Sequence, residues 1–150
     1  MQERFEAFTV LINRISRNIR KIKSREIAAF NLKGVHLSCL YHLYQTDGLT
    51  ATDLCERCEE DKATISRSLD YLEKNGYLVC DSLHGKRYKS PFSLTDKGRE
   101  VGKEIIDKIS RILDEVGTGI TREERAAFYH SLSAISNSLD TIANNLAKTV

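Results

Sequence analysis

The side chains with the clearest chemical potential lie at the start of one short predicted helix. Five of them lie on the polar face and carry donors or acceptors that can bind base edges or phosphates: Lys62, Thr64, Ser66, Arg67 and Ser68. Arg67 is best suited to a bidentate contact with guanine, and Thr64 can touch a thymine methyl group or a phosphate. Asp61 precedes them, where its carboxylate can cap the free amides of the helix. Taken alone, this helix is also compatible with an ordinary amphipathic helix that has a solvated polar face.

A predicted β-hairpin follows the helix and adds positive charge. Its strands are expected at about 78–82 and 88–94, and Lys86, Arg87 and Lys89 lie near its tip. A basic hairpin of this kind can lie along the minor groove, where narrow A·T tracts attract arginine. The alternative is a solvated turn whose charges serve solubility. Two short helices followed by a hairpin place one helix in a DNA groove, so the ordered block favours double-stranded DNA as the partner.

Charge is distributed unevenly along the chain, although the formal net charge is only +2. Residues 62–89 hold six basic and three acidic side chains, and residues 14–25 hold six basic side chains and no acid. Positive charge therefore lies beside the predicted reading helix, where neutralisation of phosphates requires it. The acidic run from Glu56 to Asp61 slightly favours a different function, in which the same fold is a protein-interaction module without base readout.

Long amphipathic helices are predicted towards both ends of the chain. Apolar side chains recur there in steps of three and four: Phe8, Ile12, Ile15, Ile19 and Ile22; Ile105, Ile109, Ile112 and Val116; Phe128, Leu132, Ile135, Leu139, Ile142 and Leu146. Thr121 with Glu124 predicts a capping box that opens the last helix, and Thr95 predicts the cap of the helix before it. A DNA reader does not need such stripes, so we expect a homodimer that buries them. The alternative is that the stripes pack only within one chain.

The bulk properties fit a single globular domain over residues 1–150, with 41% hydrophobic and 29% charged residues. The predicted fold class is mainly α with a small β-hairpin wing. The winged helix-turn-helix is expected at about 33–97, and the dimerisation helices at about 1–30 and 100–150.

Cys55 and Cys58 invite a redox or metal interpretation. A thioredoxin-type pair requires a βαβ context, and zinc requires two further ligands. Cys39, Cys80 and the histidines show no ligand spacing, so these cysteines are best explained as small buried apolar side chains. We therefore expect no metal and no cofactor, and a thiol- or metal-responsive regulator that uses Cys55 and Cys58 remains an alternative.

Other function classes have little support in the sequence. No apolar run approaches the roughly 20 residues of a membrane span, and the first residues lack the layout of a secretory signal. The expected location is the cytoplasm, where the four cysteines stay reduced. No nucleophile elbow, phosphate loop or HExxH sequence occurs, so an enzyme is not expected.

The ordered series of elements resembles the MarR family of bacterial transcription regulators. The resemblance covers nearly the whole chain and includes the phrase Leu72-Glu-Lys-Asn-Gly76-Tyr-Leu and the closing phrase Leu94-Thr95-Asp-Lys-Gly98. It implies a homodimer with two winged lobes, each reading one half of a pseudo-palindromic operator. It also implies a repressor that a small-molecule effector releases from DNA. Family wings often carry Asp-x-Arg near the tip, whereas Lys86 and Tyr88 stand at those positions here, with Arg87 between them.

Overall fold

The computed structural model describes residues 2–81 and 89–148, with side chains from residue 6 onward. Within that part of the chain the elements are α1 (Gln2–Ala28), α2 (Gly34–Gln45), α3 (Ala51–Cys58), α4 (Lys62–Lys74), β1 (Leu78–Cys80), β2 (Phe92–Leu94), α5 (Asp96–Val116) and α6 (Arg122–Ala147). The expected class, mainly helical with a small hairpin, is confirmed.

Side-chain caps begin several helices where the sequence supplies an acceptor. Thr50 accepts a hydrogen bond from the Asp53 amide at 3.2 Å, and the Asp53 carboxylate accepts one from the Thr50 amide at 2.8 Å. The predicted capping box of Thr121 and Glu124 opens α6 in the same way. The Thr95 hydroxyl accepts from the Gly98 amide at 3.1 Å, as predicted for the start of α5. These caps satisfy amides that have no partner within the helix.

The hairpin strands are shorter than predicted. β1 and β2 pair antiparallel with Leu78 opposite Leu94, and the last bond of the ladder runs from the Asp81 amide to the Pro91 carbonyl at 2.9 Å. Pro91 has no amide hydrogen to donate to a ladder, and within the described residues the paired strands end at Cys80 and Phe92. The expected strands at 78–82 and 88–94 are corrected accordingly, and the hairpin tip lies outside the described residues.

The base of the hairpin is also fixed from its other side. The Phe92 amide donates to the Leu49 carbonyl at 2.9 Å, and the Gly48 amide donates to the Phe92 carbonyl at 3.2 Å. β2 is thus bonded to β1 on one edge and to Leu49, which lies two residues before α3, on the other. The position of the hairpin base therefore depends on the start of α3.

The last turn of α4 is joined to the first turn of α5. The Thr95 hydroxyl donates to the Gly76 carbonyl at 2.6 Å, and the Lys97 ammonium group donates to the Asn75 carbonyl at 2.8 Å. Gly76 has a φ of +75°, a conformation that glycine adopts without strain and that follows the end of α4. These bonds satisfy carbonyl groups at the helix end and hold the two helices together.

The chain forms two compact units, residues 1–110 and 111–150. In the first unit, one apolar core gathers side chains from α1 to α5, including Ile65, Leu69 and Leu72 of α4. The second unit contains the end of α5 and all of α6, and none of the side chains described on α6 is buried. None of the described helices is long and apolar enough to cross a membrane.

Candidate nucleic-acid interface

The start of α4 is built around the carboxylate of Asp61. One of its oxygens accepts a hydrogen bond from the Thr64 amide at 2.8 Å, which caps the helix as the sequence predicts. The other oxygen accepts from the Thr64 hydroxyl at 2.8 Å. These two bonds lower the pKa of Asp61, because hydrogen bonds to a carboxylate favour its charged form. A negative charge is therefore fixed at the positive end of the helix dipole.

Thr64 also links this cap to the side chain of Arg67. Its hydroxyl oxygen accepts a hydrogen bond from a terminal nitrogen of the Arg67 guanidinium group at 3.3 Å. Asp61, Thr64 and Arg67 thus form a short chain of hydrogen bonds along one side of α4. Because the other guanidinium donors stay exposed on the helix surface, the arrangement orients Arg67 for a forked contact.

The structure places the other candidates on the same helix with different exposure. Lys62, Ser66 and Arg67 are exposed, and Thr64 is half-buried. Sequence reasoning grouped Ser68 with these outward polar side chains, and this is wrong. Ser68 is buried and its hydroxyl donates to the Thr64 carbonyl at 2.8 Å, because one further residue rotates the side chain about 100° towards the core.

One of the three predicted hairpin residues lies in the part of the chain that the structure describes. Lys89 is exposed close to β2, whereas Lys86 and Arg87 lie outside the described residues. The Cys80 amide donates to the Glu73 carboxylate at 3.3 Å, so α4 contacts the hairpin base directly. Sequence reasoning missed Glu73, because nothing in the spacing of a helix residue and a strand residue indicates that they meet.

Comparison with known proteins shows which family this architecture is similar to. The family model of the MarR family matches residues 30–87, which include α2, α3, α4 and β1 and end before β2. The helix-turn-helix transcriptional regulator YdgJ of Bacillus subtilis is 26% identical over 106 residues, which is 71% of this chain and 65% of YdgJ. A MarR family regulator from Silicibacter pomeroyi is 29% identical, with a TM-score of 0.73 over 83% of this chain and 84% of its own. The chain is therefore similar to MarR family regulators, and its segment 30–87 matches the family model.

The MarR fold extends beyond the residues that the family model matches. The MepR–DNA complex of Staphylococcus aureus superposes with a TM-score of 0.77 over 88% of this chain and 96% of that chain, at 19% identity. This likeness includes helices on both sides of the matched segment and concerns the fold alone. YdgJ is named as a helix-turn-helix transcriptional regulator, and the Silicibacter pomeroyi protein is named as a transcriptional regulator of the MarR family.

The four cysteines of the chain differ in environment. Cys39 is buried, and the Cys55, Cys58 and Cys80 side chains are half-buried. A hydrogen bond with Cys39 lowers the pKa of the Cys58 thiol, while the same contact and burial raise that of Cys39. Burial also raises the pKa of Cys55. Among the described residues, no three His, Cys, Asp or Glu side chains group in a way that could hold a metal ion.

Proposed function

We propose that this protein is a MarR family regulator and a homodimeric repressor that binds a pseudo-palindromic DNA operator and leaves it when a small-molecule effector binds. The observation that carries the proposal is the exposed row of Lys62, Ser66 and Arg67 on α4, with Arg67 oriented by Thr64. Helices of this kind enter the major groove with their first turns against the base edges. MepR, which shares the fold, has been crystallised with DNA. A regulator of this kind acts in the cytoplasm, where its operator lies.

Base readout is assigned to Arg67 and, through its methyl group or hydroxyl, to Thr64. Lys62 and Ser66 contact phosphates and set the register of α4 on the duplex. Lys86, Arg87 and Lys89 of the hairpin lie along the adjacent minor groove. The proposed effector acts only if the two conformations of the dimer differ in their affinity for it. Effector binding must therefore favour the conformation in which the spacing of the two lobes no longer matches the operator.

The homodimer is supported by apolar side chains that one copy leaves in water. On α6, Phe128 is 52% exposed and Leu146 is 66% exposed, and α1 leaves Ile15 48% exposed. Contiguous apolar surface on a soluble protein marks an interaction site. A second copy is the proposed partner because it sets two readers at a fixed distance, as a two-fold operator requires. We assign 1–30 and 100–150 to this interface and 33–97 to the reader.

The direct test of base readout compares Arg67→Ala with Lys74→Ala in binding to the DNA upstream of the protein's own gene. Lys74 is an exposed cation in the last turn of the same helix and serves as the matched control. Arg67→Ala should weaken binding to the cognate site by about 1–3 kcal/mol and relax base preference at one position. Lys74→Ala should leave that preference unchanged. Fluorescence anisotropy on the operator and on single-base variants measures both quantities.

Salt dependence separates this function from the protein-interaction alternative. That alternative draws on Glu56, Glu59 and Glu60, which are exposed just before α4. A DNA reader should lose affinity with salt at a log–log slope near −0.9 for each phosphate neutralised. If wild type and Arg67→Ala bind every duplex equally, α4 does not read bases and the proposal fails.

A further inference from the structure

The first helix carries an exposed row of cations along one side. We call this row the basic ridge, and it consists of Arg14, Arg17, Arg20, Lys21 and Arg25. All five side chains are exposed, and no acidic residue occurs from residue 7 to residue 25. Within residues 2–81 and 89–148, none of the five takes part in a salt bridge. The ridge is thus a set of positive charges that the described chain leaves unneutralised.

The basic ridge lies opposite to the apolar stripe of α1. At 100° per residue, its mean direction is about 160° around the helix from that of Ile12, Ile15 and Ile19. These three isoleucines belong to the stripe that is assigned to the homodimer. The ridge therefore points away from that interface and remains available to a partner of opposite charge.

Helix α1 reaches the reading helix at the end that is not assigned to base contacts. The Tyr71 hydroxyl donates to the Asn31 carbonyl at 2.7 Å, and the Tyr77 hydroxyl donates to the Phe30 carbonyl at 3.4 Å. Tyr71 lies about 14 Å further along α4 than Lys62, at a rise of 1.5 Å per residue. The ridge is therefore a second cationic surface, distinct from the first turns of α4.

The basic ridge matches a nucleic-acid backbone in charge and in length. From Arg14 to Arg25 it extends about 17 Å along α1, a length over which duplex DNA presents about ten phosphate charges. Four of its five cations are arginines, whose planar forks bind phosphates through two hydrogen bonds. A membrane surface would also require an apolar face, and the apolar stripe of α1 is assigned to the homodimer.

We propose that the basic ridge binds the phosphate backbone of a second DNA duplex while α4 holds the operator. The inference rests on the proposed function in one respect, since α4 must occupy the first duplex. Phosphate contacts carry no sequence information, so the second duplex needs no operator. One regulator bound at its operator would thereby join two DNA segments.

Capture of a second duplex by the operator complex tests the proposal. Operator DNA is immobilised on beads, saturated with the full-length protein and mixed with a labelled duplex of scrambled sequence. Wild type should retain the labelled duplex, and the triple variant Arg14→Gln, Arg17→Gln, Lys21→Gln should reduce its retention about tenfold or more. The log–log salt slope of retention should fall by about 0.9 for each cation removed.

The matched control removes the same charge from the other end of the chain. Arg122→Gln, Arg125→Gln, Lys148→Gln changes three exposed cations of α6 and the residue that follows it, and should retain as much duplex as wild type. No capture by wild type, or equal capture by the two triple variants, overturns the proposal. Operator affinity of the ridge variant should stay within about twofold of wild type. If it falls together with capture, the ridge contacts the operator itself and a second duplex is the wrong occupant.

Chemical protection tests the wild-type protein without any substitution. Scrambled duplex added to the operator complex should protect Lys21 from acetylation by an N-hydroxysuccinimide ester, measured by mass spectrometry, and should leave Lys148 unaffected. Equal labelling of Lys21 with and without the duplex overturns the proposal. If poly-glutamate protects Lys21 and the duplex does not, the ridge binds an acidic polypeptide and the proposal fails. Protection by the duplex in a protein that shows no base preference refutes the proposed function and leaves DNA binding by the ridge standing, so the two failures are distinguishable.

Discussion

Thr64 shows how a single residue connects helix capping to recognition. Its amide and hydroxyl hold the Asp61 carboxylate, and the same hydroxyl oxygen accepts from Arg67. The sequence alone predicts that Asp61 caps α4 and that Arg67 points outward. It does not predict the contact between Thr64 and Arg67, because residues three apart on a helix can meet but their rotamers decide whether they do. In the proposed complex, such a contact reduces the side-chain freedom that Arg67 would lose on binding DNA.

His36 gives the stability of the first unit a dependence on pH. It is buried, stacks on Tyr71 with 4.5 Å between ring centroids, and accepts a hydrogen bond from the Lys33 amide at 3.1 Å through Nδ1. Burial, and then the charge of Lys33, lower the pKa of His36. Both the accepted bond and the pKa shift favour a neutral ring in the folded protein.

We therefore predict that the free energy of unfolding falls as pH drops below about 6.5, the usual histidine pKa. The unfolded chain takes up the proton first, so stability is complete above that pH and is lost on acidification. One proton gives a slope of at most about 1.4 kcal/mol per pH unit. Urea denaturation at several pH values between 7.5 and 5 measures the slope. His36→Asn should flatten it, whereas His42→Gln, which removes another histidine of lowered pKa, should flatten it less. An unchanged slope in His36→Asn would contradict this assignment.

At the scale of elements, Gly98 sets how closely α5 approaches the end of α4. A Cβ at this position would collide with the Tyr77 carbonyl group and would lie 3.3 Å from Leu94 Cδ2. At Gly102, one turn later in α5, the nearest atom to a new Cβ is 3.9 Å away on Leu40. Both glycines are buried. Substitutions at the two positions therefore separate the effect of a steric clash from the effect of burial.

Gly98→Ala should lower the free energy of unfolding by about 1–3 kcal/mol or more, because backbone must move to admit the methyl group. Gly102→Ala should be neutral or stabilising by up to about 1 kcal/mol, since alanine favours a helix. Chemical denaturation of the two variants and wild type measures the difference. If Gly98→Ala is as stable as Gly102→Ala, the close approach of α5 to Tyr77 does not exist in solution.

The helices and the hairpin were largely predictable from the sequence, whereas the contacts that join them were not. Thr95, Thr121 and Gly76 mark helix ends by local chemistry that needs no tertiary information. The strand lengths were overestimated because β-propensity does not report where a ladder stops. The bond between Leu49 and Phe92 joins residues far apart in the chain, and no local pattern indicates it.

At the scale of the whole molecule, the apolar residues of α6 test the proposed homodimer. Leu139 is 52% exposed on a face that recurs in steps of three and four, whereas Asn137 is exposed and polar. Leu139→Glu should dissociate the dimer at micromolar concentration, because it places a charge in the interface. Asn137→Glu should remain dimeric.

Sedimentation equilibrium measures the association, and operator titration measures its consequence. Loss of the second lobe should weaken binding to the full operator by about a hundredfold or more. A wild-type protein that is monomeric at operator-binding concentrations would refute the homodimer.

The apolar stripe of α6 that motivates the substitution is visible in the sequence. Its exposure to water needed the structure, because periodicity alone does not tell an internal packing face from a face between two copies.

The hydrogen bonds between the end of α4 and the first turn of α5, at Asn75, Gly76 and Thr95, form a junction. This junction limits how DNA sequence specificity could be transferred between related regulators. Carbonyl groups at the end of the reading helix find their donors in the first turn of α5. A chimera that receives only residues 62–74 from another regulator would keep the donors of Thr95 and Lys97, which are positioned for the helix end of this protein. A graft that runs from the cap at Asp61 through Gly98 carries both sides of the junction. It should preserve the orientation of the imported helix.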